Sequence, residues 1–314
     1  MVQKKTEEIL SEIKKVVIGQ DEFLKNVLTA FFAGGHVLME GVPGLGKTLS
    51  AKALAKVLGY DYKRVSFTPD LMPSDIVGTK VFSLKDTEFH LKKGPVFTNI
   101  LLADEINRTP PKTQAALLEA MEERSVTIDG ETYKLEEPFF VIATQNPVEY
   151  EGTYPLPEAQ VDRFLMKLSI EYFTQDDENE LLKKYCGSFV SSHDDVKNLS
   201  SVLSAEELGE CRSEIADVKV NDEVINYITS IVKATRKSPA MLLGASPRAS
   251  IALLLCAKTI AAMSGRDYVV PEDVVDTALP VLRHRVILRP EAGIDGFDSD
   301  AVLKSIIGKV EVPR

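Results

Sequence analysis

An α/β core with a parallel sheet flanked by helices, followed by an all-helical region, is the fold class this sequence predicts. Three observations predict it. An apolar run, a glycine-rich loop and a helically spaced segment follow one another over 36–58. Two further apolar runs, Ile100–Ala103 and Phe139–Thr144, end in polar residues, as buried parallel strands do where their C-terminal tips face a site. Beyond Phe173, apolar residues recur at helical spacing.

The elements follow in order. Met1–Lys15 mixes Lys and Glu with Ile9, Leu10, Ile13 and nearby Val16, which predicts an amphipathic helix rather than a secretory signal. Phe23, Leu24, Val27, Leu28, Phe31 and Phe32 lie at helical spacing. His36–Glu40 reads as a buried strand, Leu49–Leu58 as a helix, and a strand is expected near Tyr62–Phe67. Val81–Leu84 and Phe89–Leu91, separated by polar Lys85–Glu88, suggest a hairpin. A second hairpin is better marked, because Asp129-Gly130 sits between Ser125–Ile128 and Thr132–Leu135. Phe164–Ile170 reads as another strand. Thr174-Gln175-Asp176-Asp177 resembles a capping box and opens the helical region. The Ser- and Asp-rich stretch Gly187–Leu203 is expected to be an exposed connector. Helical spacing returns at Val224, Ile225, Ile228 and Val232 and from Ile251 to Met263, and Pro271 stands at a further helix start.

The loop carries the first chemistry. Gly41-Val42-Pro43-Gly44-Leu45-Gly46-Lys47-Thr48 fits G-x-x-x-x-G-K-[ST] between a strand and a helix. Glycines let backbone N–H groups turn inward around a phosphate, and the helix adds its positive N-terminal end. Gly41, Pro43, Gly44, Leu45, Gly46, Lys47, Thr48 and Leu49 are therefore the candidate nucleotide-binding residues, with Lys47 for the β- and γ-phosphates and the Thr48 hydroxyl for Mg²⁺. Asp104 and Glu105 end the next strand. Paired acids there often serve as a helix N-cap, but Thr109 and Pro110 open the following helix. Asp104 is left to hold Mg²⁺ and Glu105 to orient and deprotonate an attacking water. The Phe139–Thr144 strand leads to Gln145-Asn146-Pro147. The Asn146 amide can bond a γ-phosphate or water without competing for charge, although Asn before Pro is also turn chemistry. Arg163 and Arg248 are candidate guanidiniums for charge building on a transferring phosphoryl group. Arg108 remains open between a phosphate or neighbouring-subunit contact and a surface salt bridge to Glu122 or Glu123.

In this order the set resembles an AAA+ ATPase. Longer phrases resemble its MoxR family: Asp104-Glu-Ile-Asn-Arg-Thr-Pro-Pro through Glu123, Ala143-Thr-Gln-Asn-Pro147, Gly152-Thr-Tyr-Pro-Leu-Pro-Glu-Ala-Gln-Val-Asp-Arg-Phe164 and Gly244-Ala-Ser-Pro-Arg248, with Gly265-Arg-Asp-Tyr268 and Leu282-Arg-His-Arg285. The likeness runs from about Val17 to the C-terminus, and no catalytic position departs from the pattern. It implies a sheet of order 5-1-4-3-2 in a core over residues 1–173, with hairpin insertions at about 76–95 and 125–136, and a helical lid over 174–314. It implies that Lys47 and Thr48 are Walker A, Asp104 and Glu105 Walker B, Asn146 sensor 1, Arg163 an arginine finger acting in trans and Arg248 sensor 2, carried into the nucleotide cleft by the lid. Ile18 and Gly19 resemble the segment lining the adenine pocket. The resemblance further implies ATP and Mg²⁺, a ring that is most often hexameric, a first hairpin that is the second-helix insert pointing toward its pore, a second that resembles the pre-sensor-1 hairpin, and a chaperone-like remodelling role. The implied clients include von Willebrand factor A-domain proteins. A chelatase motor subunit and a nucleotide-gated scaffold remain alternatives.

Composition sets limits. The 314 residues suffice for two domains. No apolar run approaches the roughly 18 residues a membrane helix needs. Cys186, Cys211 and Cys256 form no C-x-x-C, which suits reduced thiols in a cytoplasmic protein, and His36, His90, His193 and His284 have no metal-ligand spacing. His284 is expected to be structural or at an interface. A formal charge of −10 disfavours nonspecific DNA binding and points to protein clients.

Overall fold

The structure, a computed structural model, describes residues 1–42, 44–146, 152–170, 172–186, 195–294, 296 and 298–313. Pro43, Pro147 and residues 187–194 of the expected connector lie outside the described residues.

Helices α1 (Val2–Ile13) and α2 (Asp21–Phe32) precede strand β1 (Val37–Glu40), and α3 (Lys47–Leu58) leads to β2 (Tyr62–Ser66). A short helix α4 (Pro73–Val77) opens the first hairpin, β3 (Gly78–Ser83) and β4 (Glu88–Lys93). Strand β5 (Ile100–Asp104), a 3₁₀ turn (Ile106–Arg108) and α5 (Pro111–Glu123) come next, then the second hairpin, β6 (Ser125–Ile128) and β7 (Glu131–Lys134). Strand β8 (Phe140–Gln145), α6 (Glu158–Val161) and β9 (Met166–Ser169) complete this half. The sheet runs β2-β5-β8-β1-β9 with every neighbouring pair parallel. Numbered by sheet strand alone, that is the implied 5-1-4-3-2.

Alternation along each strand explains the layering. Val37, Met39, Ile100, Leu102, Phe140 and Ile142 face one side, where they join α1, α2 and α3 in one buried cluster. Leu38, Leu101, Ala103, Val141 and Ala143 face the other, against α5 and the second hairpin. Both faces are apolar, as a parallel sheet covered by helices requires. The Asp129-Gly130 turn adopts positive φ at both residues (50° and 82°), the geometry the dipeptide predicts.

Beyond residue 173 come α7 (Gln175–Cys186), α8 (Ala205–Asp217), α9 (Asp222–Lys237), α10 (Pro247–Met263), α11 (Pro271–Leu282), α12 (Pro290–Ile294) and α13 (Ser299–Ile307). The Thr174 hydroxyl and the Asp177 carboxylate bond each other and the opposing backbone amides at the start of α7, as the sequence predicts. Two expectations need correction. The region is not all-helical: β10 (Met241–Leu243) and β11 (Ile287–Leu288) form an antiparallel ladder. Nor is the connector wholly exposed, because Val196, Leu199 and Leu203 are buried and the Val202 N–H donates to Val57 O at 2.8 Å. The spaced apolar residues pack on the end of α3 while Lys197, Asn198, Ser200 and Ser201 between them stay exposed. The cluster on the α1–α3 face of the sheet also runs on without a break into α8 to α11.

Candidate active site

Parallel strands bring their C-terminal ends to one edge of the sheet, and the loop residues follow β1 at that edge. Gly44 and Gly46 hold φ of +91° and +77°, where an L side chain is strained, so the turn demands glycine. Apart from the chain neighbours, no atom lies within 4 Å of where a Cβ would stand on either, so both positions face open space. Gln20 braces the loop from behind: its Nε2 donates to Leu45 O at 2.6 Å and its Oε1 accepts from Ser50 Oγ at 3.2 Å. Lys47 begins α3, and its Nζ donates to Gly41 O at 2.6 Å. Burial draws its ammonium below the usual lysine range, against the opposing pull of Asp104 and Glu105. Thr48 and Leu49 follow, half-buried in the first turn of α3.

Asp104 and Glu105 share one brace. The Thr144 hydroxyl donates to Asp104 Oδ1 at 2.6 Å and accepts from the Glu105 N–H at 2.8 Å. Glu105 sits at φ +58°, a left-handed conformation that a non-glycine residue holds only when its surroundings enforce it. It flanks the 3₁₀ turn without a side-chain capping bond, so the N-cap alternative is not what the acids do. Its Oε2 accepts from Arg108 Nη1 at 3.0 Å, which places Arg108 beside Glu105 rather than Glu122 or Glu123. Asp104 Oδ2 accepts from Arg64 Nε at 3.1 Å and Nη2 at 2.5 Å. Asn146 follows β8 at the same edge and lines a cavity of about 590 Å³ with Asn107, Lys167 and Glu40, the last two ion-paired at 2.8 Å. A second cavity of about 330 Å³ lies between Gly19–Phe23, Leu168–Ile170 and the α11 residues Asp276, Leu279 and Pro280, with Arg283 beyond. Ile18 is half-buried beside it, and a Cβ on Gly19 would run into the Asp177 side chain.

The two candidate arginines lie elsewhere. Arg163 precedes β9, so it sits at the N-terminal edge of the sheet. The four residues of β9 alone separate it from the opposite edge by about 13 Å at the strand rise. Helix α5 starts near the carboxyl edge and runs back to deliver Glu122 to that same end. Arg163 Nη1 donates to Leu118 O at 2.8 Å and Nη2 pairs with Glu122 Oε2 at 2.9 Å. Arg248, at the start of α10, pairs with Glu122 Oε1 at 3.0 Å. The expectation that Arg248 enters the nucleotide cleft of its own chain is therefore corrected: α10 docks its first turn on the end of α5. His284 is buried, its ring nitrogen 3.0 Å from Phe164 O, which makes it structural. Gln20, Arg64 and Thr144 escaped the sequence reading as individuals. The signal for Arg64 and Thr144 was faint: both lie on strands next to the one that ends in Asp104.

Among the described residues no three His, Cys, Asp or Glu side chains are grouped to hold a metal. The oxygen donors Thr48 and Asp104 nevertheless suit Mg²⁺, which takes few protein ligands and completes its shell from phosphate and water.

Comparison with known proteins agrees with this fold. Residues 36–166 match the ATPase family associated with various cellular activities (AAA), and residues 233–306 match the AAA lid domain. The chain is 40% identical to Chaperone MoxR1 of Mycobacterium tuberculosis over 98% of this chain and 82% of that protein. It belongs to the MoxR family of AAA+ ATPases. Protein MoxR of Methylorubrum extorquens is 33% identical over 89% of the chain and 86% of its own length. Protein YeaC of Bacillus subtilis is 47% identical over 97% and 93%. A crystal structure from Cytophaga hutchinsonii superposes with a TM-score of 0.90 at 42% identity, covering 100% of this chain and 96% of that one. The MoxR-family fold thus accounts for the sheet order and for the helices that follow it. No described helix is long and apolar enough to cross a membrane.

Proposed function

We propose that this MoxR-family protein hydrolyses ATP with Mg²⁺ at sites shared between adjacent copies in a ring, and that it uses the cycle to remodel protein clients. One observation carries the reading. Lys47, Asp104, Glu105 and Asn146 gather at the carboxyl edge of the sheet, whereas Arg163 and Arg248 lie at the opposite edge. A side chain cannot cross that span, so each copy holds two half-sites and a complete one needs a neighbour.

In this reading the core over 1–173 binds the triphosphate through the loop amides, Gly41 to Leu49 and Lys47, with Ile18 and Gly19 beside the base. Thr48 and Asp104 hold Mg²⁺, which supplies Lewis acidity and neutralises phosphate charge. Glu105 accepts a proton from the attacking water, and Asn146 orients that water by hydrogen bonding. Arg163 and Arg248 of the neighbouring copy meet the charge that develops on the transferred group. The lid over 174–314 carries Arg248. A hexamer is the expected assembly, in the cytoplasm.

The first hairpin supports the client role. Val81, Phe82, Leu84 and Phe89 are exposed there, with the Phe82 and Phe89 rings 5.2 Å apart. Lys80 pairs with Glu131 at 2.6 Å, tying the two hairpins together. A von Willebrand factor A-domain protein is the client class we favour. The test is phosphate release from Mg·ATP as protomer concentration rises: turnover per protomer should climb with assembly. R163A should bind ATP yet barely hydrolyse it, and mixing it with K47A should restore part of the rate. An R163A protein that hydrolyses normally would end this reading.

A further inference from the structure

Glu122 has no role in the reading above, yet it touches both arginines. Its two carboxylate oxygens are divided between two guanidiniums, Oε2 to Arg163 at 2.9 Å and Oε1 to Arg248 at 3.0 Å. These come from distant parts of the chain, one ahead of β9 and one at the start of α10. Two guanidiniums this close repel each other unless an anion lies between them. The row extends further. Arg248 lies 4.0 Å from Asp162 Oδ2, and Asp162 Oδ1 accepts from Arg285 Nε at 2.6 Å. Three guanidiniums alternate with two carboxylates, which leaves one positive charge in excess on a chain whose formal charge is −10.

The two ends of this row differ. Arg285 is buried and fixed by Asp162 and by the carbonyls of Phe164 and Leu165 at 2.7 and 3.0 Å. At the other end Arg163, Glu122 and Arg248 keep 31%, 37% and 50% of their side-chain surface exposed. The excess charge is thus held at the surface end, where an incoming anion can reach it. A planar guanidinium anchored on one side keeps its remaining N–H groups in a fixed fork, which suits a phosphate.

We propose that Glu122 is a positioning residue that mounts Arg163 and Arg248 as a single two-arginine fork for the phosphate groups of the nucleotide on a neighbouring copy. This rests on the shared-site reading and adds a residue to it. Glu122 never touches the nucleotide. Its carboxylate sets the spacing of the two cations before the phosphate arrives, so the neighbour's transition state meets them without reorganisation.

The test uses the full-length protein. E122Q keeps the side-chain shape and removes the charge. It is expected to lower kcat at least about tenfold, while KM for ATP and the thermal midpoint stay near wild type, because ATP binds at the other edge of the same copy. E122D restores the charge one methylene back and is expected to recover part of the rate. Mixing E122Q with K47A should also restore turnover, since a K47A copy lends an intact fork to the ATP held by an E122Q copy. The inference is overturned by wild-type turnover in E122Q, by a loss that falls on KM, by E122D no faster than E122Q, or by no gain in the K47A mixture. R163A mixed with K47A keeps the two ideas apart. Recovery there with an unaffected E122Q removes only the role of Glu122, whereas no recovery there removes the shared site itself.

Discussion

Replacing Thr144 by Val tests the brace behind the two acids most directly. Thr144 is 1% exposed, and its hydroxyl donates to Asp104 Oδ1 and accepts from the Glu105 amide. Valine keeps the volume and the β-branched shape that a central strand favours, so packing changes little. What disappears is one bond to a carboxylate, about 1.5–3 kcal/mol, and one from a neutral amide, about 0.5–1.5 kcal/mol. The Glu105 backbone loses the contact that offsets its φ of +58°, a conformation costing about 1–3 kcal/mol. The T144V protein should therefore lose about 2–4 kcal/mol in urea unfolding followed by circular dichroism. Its kcat should drop at least about tenfold, because both acids swing off their positions. Affinity for metal-free ATP should hold, since Lys47 and the loop are braced separately by Gly41 O and Gln20. T144S retains the hydroxyl and should recover most of both losses. A T144V protein within about 0.5 kcal/mol of wild type and with unchanged turnover would refute the reasoning.

Three other outcomes follow from the same contacts. His36 is fully buried, and burial, then the charge of Arg124, lowers its pKa to about 3. Its Nδ1 accepts the Val141 N–H at 3.0 Å, a bond that protonation destroys. The unfolded chain binds this proton below about pH 6.5 and the folded chain does not, so stability is lost as pH falls, by about 2 kcal/mol at pH 5 from His36 alone; urea midpoints that stay flat from pH 7 to 5 would contradict this. Gly46→Ala places a Cβ in the open side of the loop at φ +77°. It should weaken nucleotide binding at least about tenfold by calorimetry with a smaller backbone cost of about 1 kcal/mol. Removing Lys85–Glu88 from the exposed tip of the first hairpin should leave basal ATPase intact and abolish client remodelling, read by client protease sensitivity, and equal loss of both would count against a client role for that hairpin.

How much of this was legible in the sequence depended on how local each signal is. The phosphate loop, both hairpins and the sheet strands announce themselves within a dozen residues, through glycine placement, Asp129-Gly130 and alternating or continuous apolar runs. Signals that depend on chain segments far apart were not legible. Arg64 and Thr144 each meet Asp104 across about 40 residues of sequence, and the spacing inside either strand gives no hint of the partner. The β10–β11 ladder joins Met241 to Leu288, and each strand is too short to show a period. Composition misled at the connector, where frequent Ser and Asp hid the three apolar residues that pack on α3.

The placement of Arg248 shows why motif order alone misassigns a site. Along the chain, Arg248 follows the strand tips as if it were to close over them, and a lid that bends back over the loop is the simplest path. The structure departs from that path because one apolar cluster continues from the α1–α3 face of the sheet into α8 to α11, which fixes where the start of α10 can lie. That start meets α5 at its C-terminal end, where Glu122 and Arg163 already stand. Two guanidiniums at the far edge then have no phosphate of their own to meet. The shared-site proposal gives their excess positive charge a partner at the carboxyl edge of another copy. On the shared-site proposal, packing in the lid, rather than any residue in the loop, is what would make nucleotide chemistry depend on assembly.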